Sequence, residues 1–130
     1  MSDLERLFEL AKRKHAIDQQ SGGGGEHGLT YLNDIKAEVD EVLEERPRLR
    51  RCYLEDELAD VIWNYVNVLT AFEHNGEIEI NSLLKRACDK YQQRVDGIES
   101  GIKWQQIKVL QQQQLANEHQ QQLTKELDTK

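Results

Sequence analysis

Apolar residues in this chain recur at steps of three and four, and no stretch shows the two-residue alternation of a strand, so the pattern predicts an all-α protein. Leu4, Leu7, Phe8 and Ala11 form one face of a first helix over residues 3–20, with Ser2 or Asp3 as its cap. Leu32, Ile35, Val39, Val42 and Leu43 mark a second helix from Thr30 to Glu45. Arg46-Pro47 ends it, since the only proline disfavours helix at itself and at the residue before. A third helix, about residues 53–74, places Leu58, Val61, Ile62, Tyr65, Leu69 and Phe72 on one buried face and Ala59, Trp63 and Val66 on a second apolar side. Such a helix is expected to be wrapped by protein nearly all round.

His74-Asn75-Gly76 is a helix stop with glycine where a left-handed residue is wanted. Asn81 or Ser82 then caps a fourth helix whose buried side is marked by Ile80, Leu83, Leu84, Ala87, Cys88, Tyr91, Val95 and Ile98. Ser100-Gly101 breaks it. Beyond Ile102 the chain turns glutamine-rich and offers only Trp104, Ile107, Leu110, Leu115, Leu123 and Leu127 for burial. That stretch is expected to be a weakly amphipathic helix that holds its shape against a second subunit. Between the first two helices, Ser21, Gly22 to Gly25, Glu26, His27 and Gly28 suggest a mobile connection or lid. It lacks the Gly-Lys-Ser/Thr ending of a phosphate-cradling loop, because Gly28 is followed by Leu29 and Thr30.

The 130 residues make one domain's worth of chain, and a formal charge of −7 argues against a nucleic-acid partner, whose backbone demands a basic surface. Residues 26–60 hold eleven acids against five bases, so the negative charge is concentrated there. No apolar run reaches the roughly 20 residues of a membrane span, and the N-terminus lacks the apolar core of a signal peptide. A cytoplasmic protein is expected. Cys52 and Cys88 lack Cys-x-x-Cys spacing and receive no chemistry. His15, four residues beyond Ala11, faces either the core or a site, and a lone histidine is more often packing or surface than a ligand.

The concentrated acid includes two motifs, Glu38-x-x-Glu41 and Glu57-x-x-Asp60. If the second and third helices form an antiparallel hairpin, residues equidistant from the arginine-rich turn lie at one height. Glu38 then faces Asp60 and Glu41 faces Glu57, with Asp34 and Asn64 one turn further along. Helix axes about 8–10 Å apart let all four carboxylates converge. Four ionised carboxylates repel unless a cation compensates, and Glu57, Asp60, Asn64 and Asn67 make a polar stripe on an otherwise apolar helix. A hard divalent ion suits an all-oxygen ligand set. Mg²⁺, with Mn²⁺ as a substitute, characteristically shares such a site with water and substrate phosphates. The metal would polarise a phosphoryl oxygen and ease deprotonation of water, and a free carboxylate could act as general base. A di-iron centre would want Glu-x-x-His in paired positions, and neither motif has the histidine. A single Glu-x-x-Glu carries little weight, since Glu41-x-x-Glu44 matches it too.

On KAEVDEVLEE, the fifteen residues separating Glu41 from Glu57, EDELADVIWNYVNVL, and the downstream Lys90-Tyr91-Gln92-Gln93-Arg94, the chain resembles the MazG-like all-α nucleoside triphosphate pyrophosphohydrolases. The likeness covers residues 30–98. It implies a four-helix MazG-like bundle over residues 1–101, with 102–130 as an added helical extension, and assembly as a homodimer or homotetramer. It further implies that Glu38, Glu41, Glu57 and Asp60 bind Mg²⁺, that Lys90 and Arg94 contact the triphosphate, and that the bond between the α- and β-phosphates is cleaved. From spacing alone, Lys90 and Arg94 lie one turn apart and can point at one polyanion or pair with acids such as Asp89. Asn64 is open to a ribose, a base, a bound water or a purely structural bond.

The expected activity is Mg²⁺-dependent conversion of a nucleoside triphosphate into its monophosphate and diphosphate, in a house-cleaning role. A narrower dUTP- or dCTP-type hydrolase and, more distantly, a phosphoribosyl-ATP hydrolase are the alternatives within the fold. A non-enzymatic helical assembly, binding a partner protein through its acidic flank and glutamine-rich tail, is the alternative outside it.

Overall fold

The computed structural model describes residues 1–21 and 27–128. Among them are five α-helices, one short 3₁₀ turn and no strand: α1 (Asp3–Gln20), α2 (His27–Glu45), the 3₁₀ turn (Arg46–Arg48), α3 (Arg51–His74), α4 (Ile80–Glu99) and α5 (Trp104–Asp128). The chain divides into two compact units, Met1–Ile80 and Asn81–Lys130. Most of the lid expected between the first two helices falls on residues 22–26, outside the described residues. His27 and Gly28 belong to α2, which begins three residues earlier than the apolar pattern indicated.

In the first unit, α1 is started by a reciprocal cap. Ser2 Oγ accepts from the Glu5 N–H at 3.1 Å, and Glu5 Oε2 accepts from the Ser2 N–H at 3.3 Å. Both α1 and α2 pack on α3, and the α2–α3 pair is the more extensive. The hairpin between them turns at Pro47, then passes through Leu49 in a left-handed conformation (φ 57°) before α3 begins. Glu45 is buried at this corner, where Arg50 Nε donates to it at 3.0 Å and Arg48 lies 3.8 Å away. The Arg50 guanidinium holds the Glu45 carboxyl below its ordinary range. Arg48 and Arg50 thus serve the corner itself, while Arg51 pairs with Glu55.

The core of this unit lies along the second half of α3, where Val66, Val68, Leu69 and Ala71 are buried, with Ala11 of α1 against them. Asn67 and Thr70 are buried in the same stretch, and each donates back to a carbonyl one turn earlier, at 2.8 and 2.9 Å. Gly28 starts α2 hard against α3. A side-chain carbon there would sit 2.7 Å from the Phe72 ring, so glycine allows the close approach.

Where α1 ends, the His15 ring lies 4.6 Å from that of His74, and His74 also meets Gln19 at 2.9 Å. Burial, then His74 and His27, lowers the His15 pKa. His15 therefore lies between helices, beside the core rather than within it. Next to it, Asp18 accepts from Tyr31 Oη at 2.9 Å and pairs with Lys14, tying α1 to α2.

One expected buried face is covered only in part, at Leu69. Leu58, Ile62 and Tyr65 are 48%, 41% and 46% exposed, because α1 and α2 leave that stripe of α3 bare within the unit. Hydrophobic periodicity marks a surface that favours burial but does not supply its cover.

α4 starts at Ile80, the last residue of the first unit, and runs on into the second. Its cap is Glu73 Oε2, which accepts the Ile80 N–H at 2.6 Å, and not the side chain of Asn81 or Ser82. Gly101 turns the chain with φ 85°, and the Ile102 N–H closes onto the Gly97 carbonyl at 2.9 Å. Ile107 of α5 is buried against Gly97, where a side-chain carbon would lie 2.2 Å from Ile107 Cδ1. α4 and α5 also meet through polar side chains, Arg86 with Glu118 and Arg94 with Gln111. Leu84, Cys88, Tyr91, Val95 and Ile98, expected on a buried side of α4, are exposed.

Candidate functional site

The hairpin register brings Glu38 and Glu41 of α2 against Glu57 and Asp60 of α3. One carboxylate oxygen from each residue lies within 4.8 Å of the other three. Two rigid helices joined by a short turn leave little freedom in height, and both motifs have the three-residue spacing that keeps their acids on one helix face. The grouping therefore follows from the local sequence once the turn is formed.

Electrostatics within the cluster is unfavourable without a cation. Glu38 Oε2 and Glu57 Oε2 are buried and receive no hydrogen bond from the described residues. Among the described residues, no lysine or arginine pairs with any of the four. The Glu38 carboxyl is pushed up to about 6, first by burial, then by a hydrogen bond shared with Glu41 and by the charges of Glu41, Asp60 and Glu57. Glu57 is also raised, chiefly by its shared hydrogen bond with Glu41 and then by burial. A divalent cation would fill both unsatisfied acceptors and offset the repulsion, and the all-oxygen donor set suits a hard ion. The residues present fit a divalent metal.

Asn64, one turn beyond Asp60, is buried, and its amide nitrogen donates to the Asp60 carbonyl at 2.8 Å. That bond fixes the side chain beside the motif and leaves Oδ1 as an acceptor.

Lys90 and Arg94 lie on α4 in the second unit, one turn apart. Arg94 has its Cζ 5.2 Å from the Tyr91 ring and 4.9 Å from Trp104 of α5. Its Nε–H donates to Gln111 Oε1 at 2.8 Å, while Gln111 Nε2 donates to the Lys90 carbonyl at 2.9 Å and to Gln93 Oε1 at 3.0 Å. The expected alternative partner, Asp89, is taken by Lys85 at 2.6 Å. Nothing in the sequence singles out Gln111 from its neighbours in a glutamine run. Only the facing helix shows which one reaches Arg94.

No curated protein and no solved structure matches the chain at a significant level. Of the described residues, no helix is long and apolar enough to cross a membrane. The family model of the MazG nucleotide pyrophosphohydrolase domain matches residues 26–98, a span that holds both carboxylate motifs, Asn64, Lys90 and Arg94. Covering more than half of the sequence, that match establishes that the chain belongs to the MazG nucleotide pyrophosphohydrolase family.

Proposed function

We propose that this protein is a Mg²⁺-dependent nucleoside triphosphate pyrophosphohydrolase that converts a (deoxy)nucleoside triphosphate to its monophosphate and diphosphate, clearing unwanted nucleotides from the cytoplasm. The observation that carries the reading is the convergence of four carboxylates, two of them with buried oxygens that no donor among the described residues reaches, in a MazG chain. Bound there, Mg²⁺ supplies Lewis-acid polarisation of a phosphoryl oxygen and a lowered pKa for water.

The remaining work falls to the chain itself. Glu38, Glu41, Glu57 and Asp60 hold the ion, and whichever carboxylate oxygen is left unengaged accepts the proton of the water that attacks the α-phosphorus. Lys90 and Arg94 neutralise and orient the triphosphate, which carries more negative charge than one divalent ion offsets. Asn64 offers its Oδ1 to the nucleotide. The test is a panel of ribo- and deoxyribonucleoside triphosphates with Mg²⁺, assayed for both monophosphate and pyrophosphate. Pyrophosphate is expected with at least one of them. Orthophosphate in its place would mean cleavage at the β–γ bond, and absence of product from every nucleotide would overturn the reading.

We further take residues 1–101 as the catalytic four-helix domain and 102–130 as a helical extension, in a homodimer or homotetramer. Support for assembly comes from the bare stripe of Leu58, Ile62 and Tyr65 on the helix that bears the site. Light scattering at micromolar concentration should give a multiple of the chain mass. A compact particle of one chain would refute assembly.

A further inference from the structure

Within the second unit, α4 and α5 face each other across a groove of about 660 Å³, and its walls are basic in a chain that is acidic overall. Five cations line it: Lys85, Arg86, Lys90 and Arg94 from α4, and Lys108 from α5. Two of these are neutralised locally, Lys85 by Asp89 and Arg86 by Glu118, whose carboxylate takes two hydrogen bonds at 2.8 and 3.0 Å. The other three have no carboxylate within ion-pair distance among the described residues. Lys108 instead places its Nζ 5.2 Å from the Trp104 ring, and Lys90 its own 5.6 Å from Tyr91. The Arg94 guanidinium lies within cation–π distance of both aromatic rings, with Nε committed to Gln111 and, among the described residues, no partner on its two terminal nitrogens. Three uncompensated cations around one groove, one of them locked as a planar fork, are the complement of a chain of phosphates.

We propose that the α4–α5 groove binds the polyphosphate of the substrate, with Lys108 as a third cation and Gln111 as the residue that positions Arg94. For the identity of the anion this rests on the hydrolase reading above. It adds that residues of α5, beyond the 26–98 span matched by the family, belong to the substrate site. The glutamine-rich helix is thereby given a task, since Gln111 bonds α4 at Lys90, Gln93 and Arg94 together.

The probe is inorganic tripolyphosphate, titrated calorimetrically into the full chain with EDTA present, so that the carboxylate cluster takes no part. Wild type binds. Lys108→Gln and Gln111→Ala each weaken binding about tenfold, the scale of one charge-assisted contact, whereas Lys103→Gln, outside the groove, matches wild type. Gln111→Glu keeps an acceptor for Arg94 but adds negative charge. It also loses the two donations of the amide nitrogen, to the Lys90 carbonyl and Gln93 Oε1, and weakens anion binding further than alanine does if the groove holds a polyphosphate; if the pairing of α4 and α5 only joined the two helices, Lys108→Gln would leave binding unchanged. With a hydrolysed nucleotide, Lys108→Gln raises KM about tenfold and leaves kcat within twofold. Failure of wild type to bind tripolyphosphate, or binding as tight as wild type by either the Lys108→Gln or the Gln111→Ala variant, overturns the proposal. Lys108-dependent binding in a protein that hydrolyses no nucleotide upholds the groove and defeats the hydrolase reading. Turnover with a KM indifferent to both residues does the reverse.

Discussion

Glu57→Gln should lower turnover of the best nucleotide substrate by at least about 100-fold, since even partners one step removed from a metal cost roughly 10- to 100-fold when lost. The substitution keeps the size of the side chain and removes one charge from a group of four whose oxygens lie within 4.8 Å of each other. Asp60→Asn should behave alike, because it faces the same point from one turn along α3. Neither loss should come from unfolding. Burial raises Glu38 and the hydrogen bond with Glu41 raises Glu57, with like charges adding to both; removing one carboxylate relieves that repulsion, so the melting temperature of the metal-free variant should equal or exceed that of wild type. Asp40→Asn, an exposed acid on α2 outside the cluster, is the control and should retain wild-type turnover. Rates for Glu57→Gln within twofold of wild type would remove the carboxylates from the mechanism.

The second large effect concerns stability, metal and pH together. The folded pKa of Glu38, about 6, lies above its ordinary 4.5, so the fold favours the protonated carboxyl. Its stabilising contribution is complete below 4.5 and is lost as pH rises through about 6. Through this group, the metal-free protein should therefore melt at a lower temperature at pH 7.5 than at pH 5. Adding Mg²⁺ at pH 7.5 reverses the loss. A cation at 100 times its Kd contributes about 2.7 kcal/mol, which for a chain of this size is a rise on the order of 8 °C. Glu38→Gln should both flatten the pH dependence contributed by this residue and abolish the response to Mg²⁺. An identical melting temperature for wild type with and without millimolar Mg²⁺ would contradict the assignment of the cluster to a metal.

Legibility of the fold differed from element to element, for physical reasons. Helices were readable because their apolar steps and stop signals are local. The span of α1 coincides with the expected 3–20, and Gly76 has the left-handed φ of 78° that its place after His74-Asn75 suggested. The start of α4 was not readable, because its cap comes from Glu73, seven residues back in the preceding helix. Which apolar faces are covered was equally hidden. Leu58 and Ile62 carry the same hydrophobic signal as Leu69, yet Leu69 is 5% exposed and they are not.

The carboxylate cluster was legible in unusual detail, since a helix transmits register over many residues and a short proline turn sets how two helices align. The sequence leaves Asn64 open between ligand and structure. The bond to the Asp60 carbonyl adds a structural duty without consuming its oxygen. On α4, the spacing of Lys90 and Arg94 placed two cations together. Their neighbours Trp104, Lys108 and Gln111 lie up to 21 residues away in a stretch of low information, so no local rule could select them.

By itself, then, the sequence determined an all-helical chain, an acidic hairpin with four carboxylates at matching heights, and membership in a family of nucleotide pyrophosphohydrolases. Those properties depend on periodicity and spacing within one or two helices. Only tertiary structure decided that Glu38 and Glu57 each bury an oxygen that no donor among the described residues reaches, that part of α3 stays bare within its unit, and that Gln111 holds Arg94. Burial and long-range pairing depend on which surfaces meet in space, and residues far apart in the chain carry no mark of their partners.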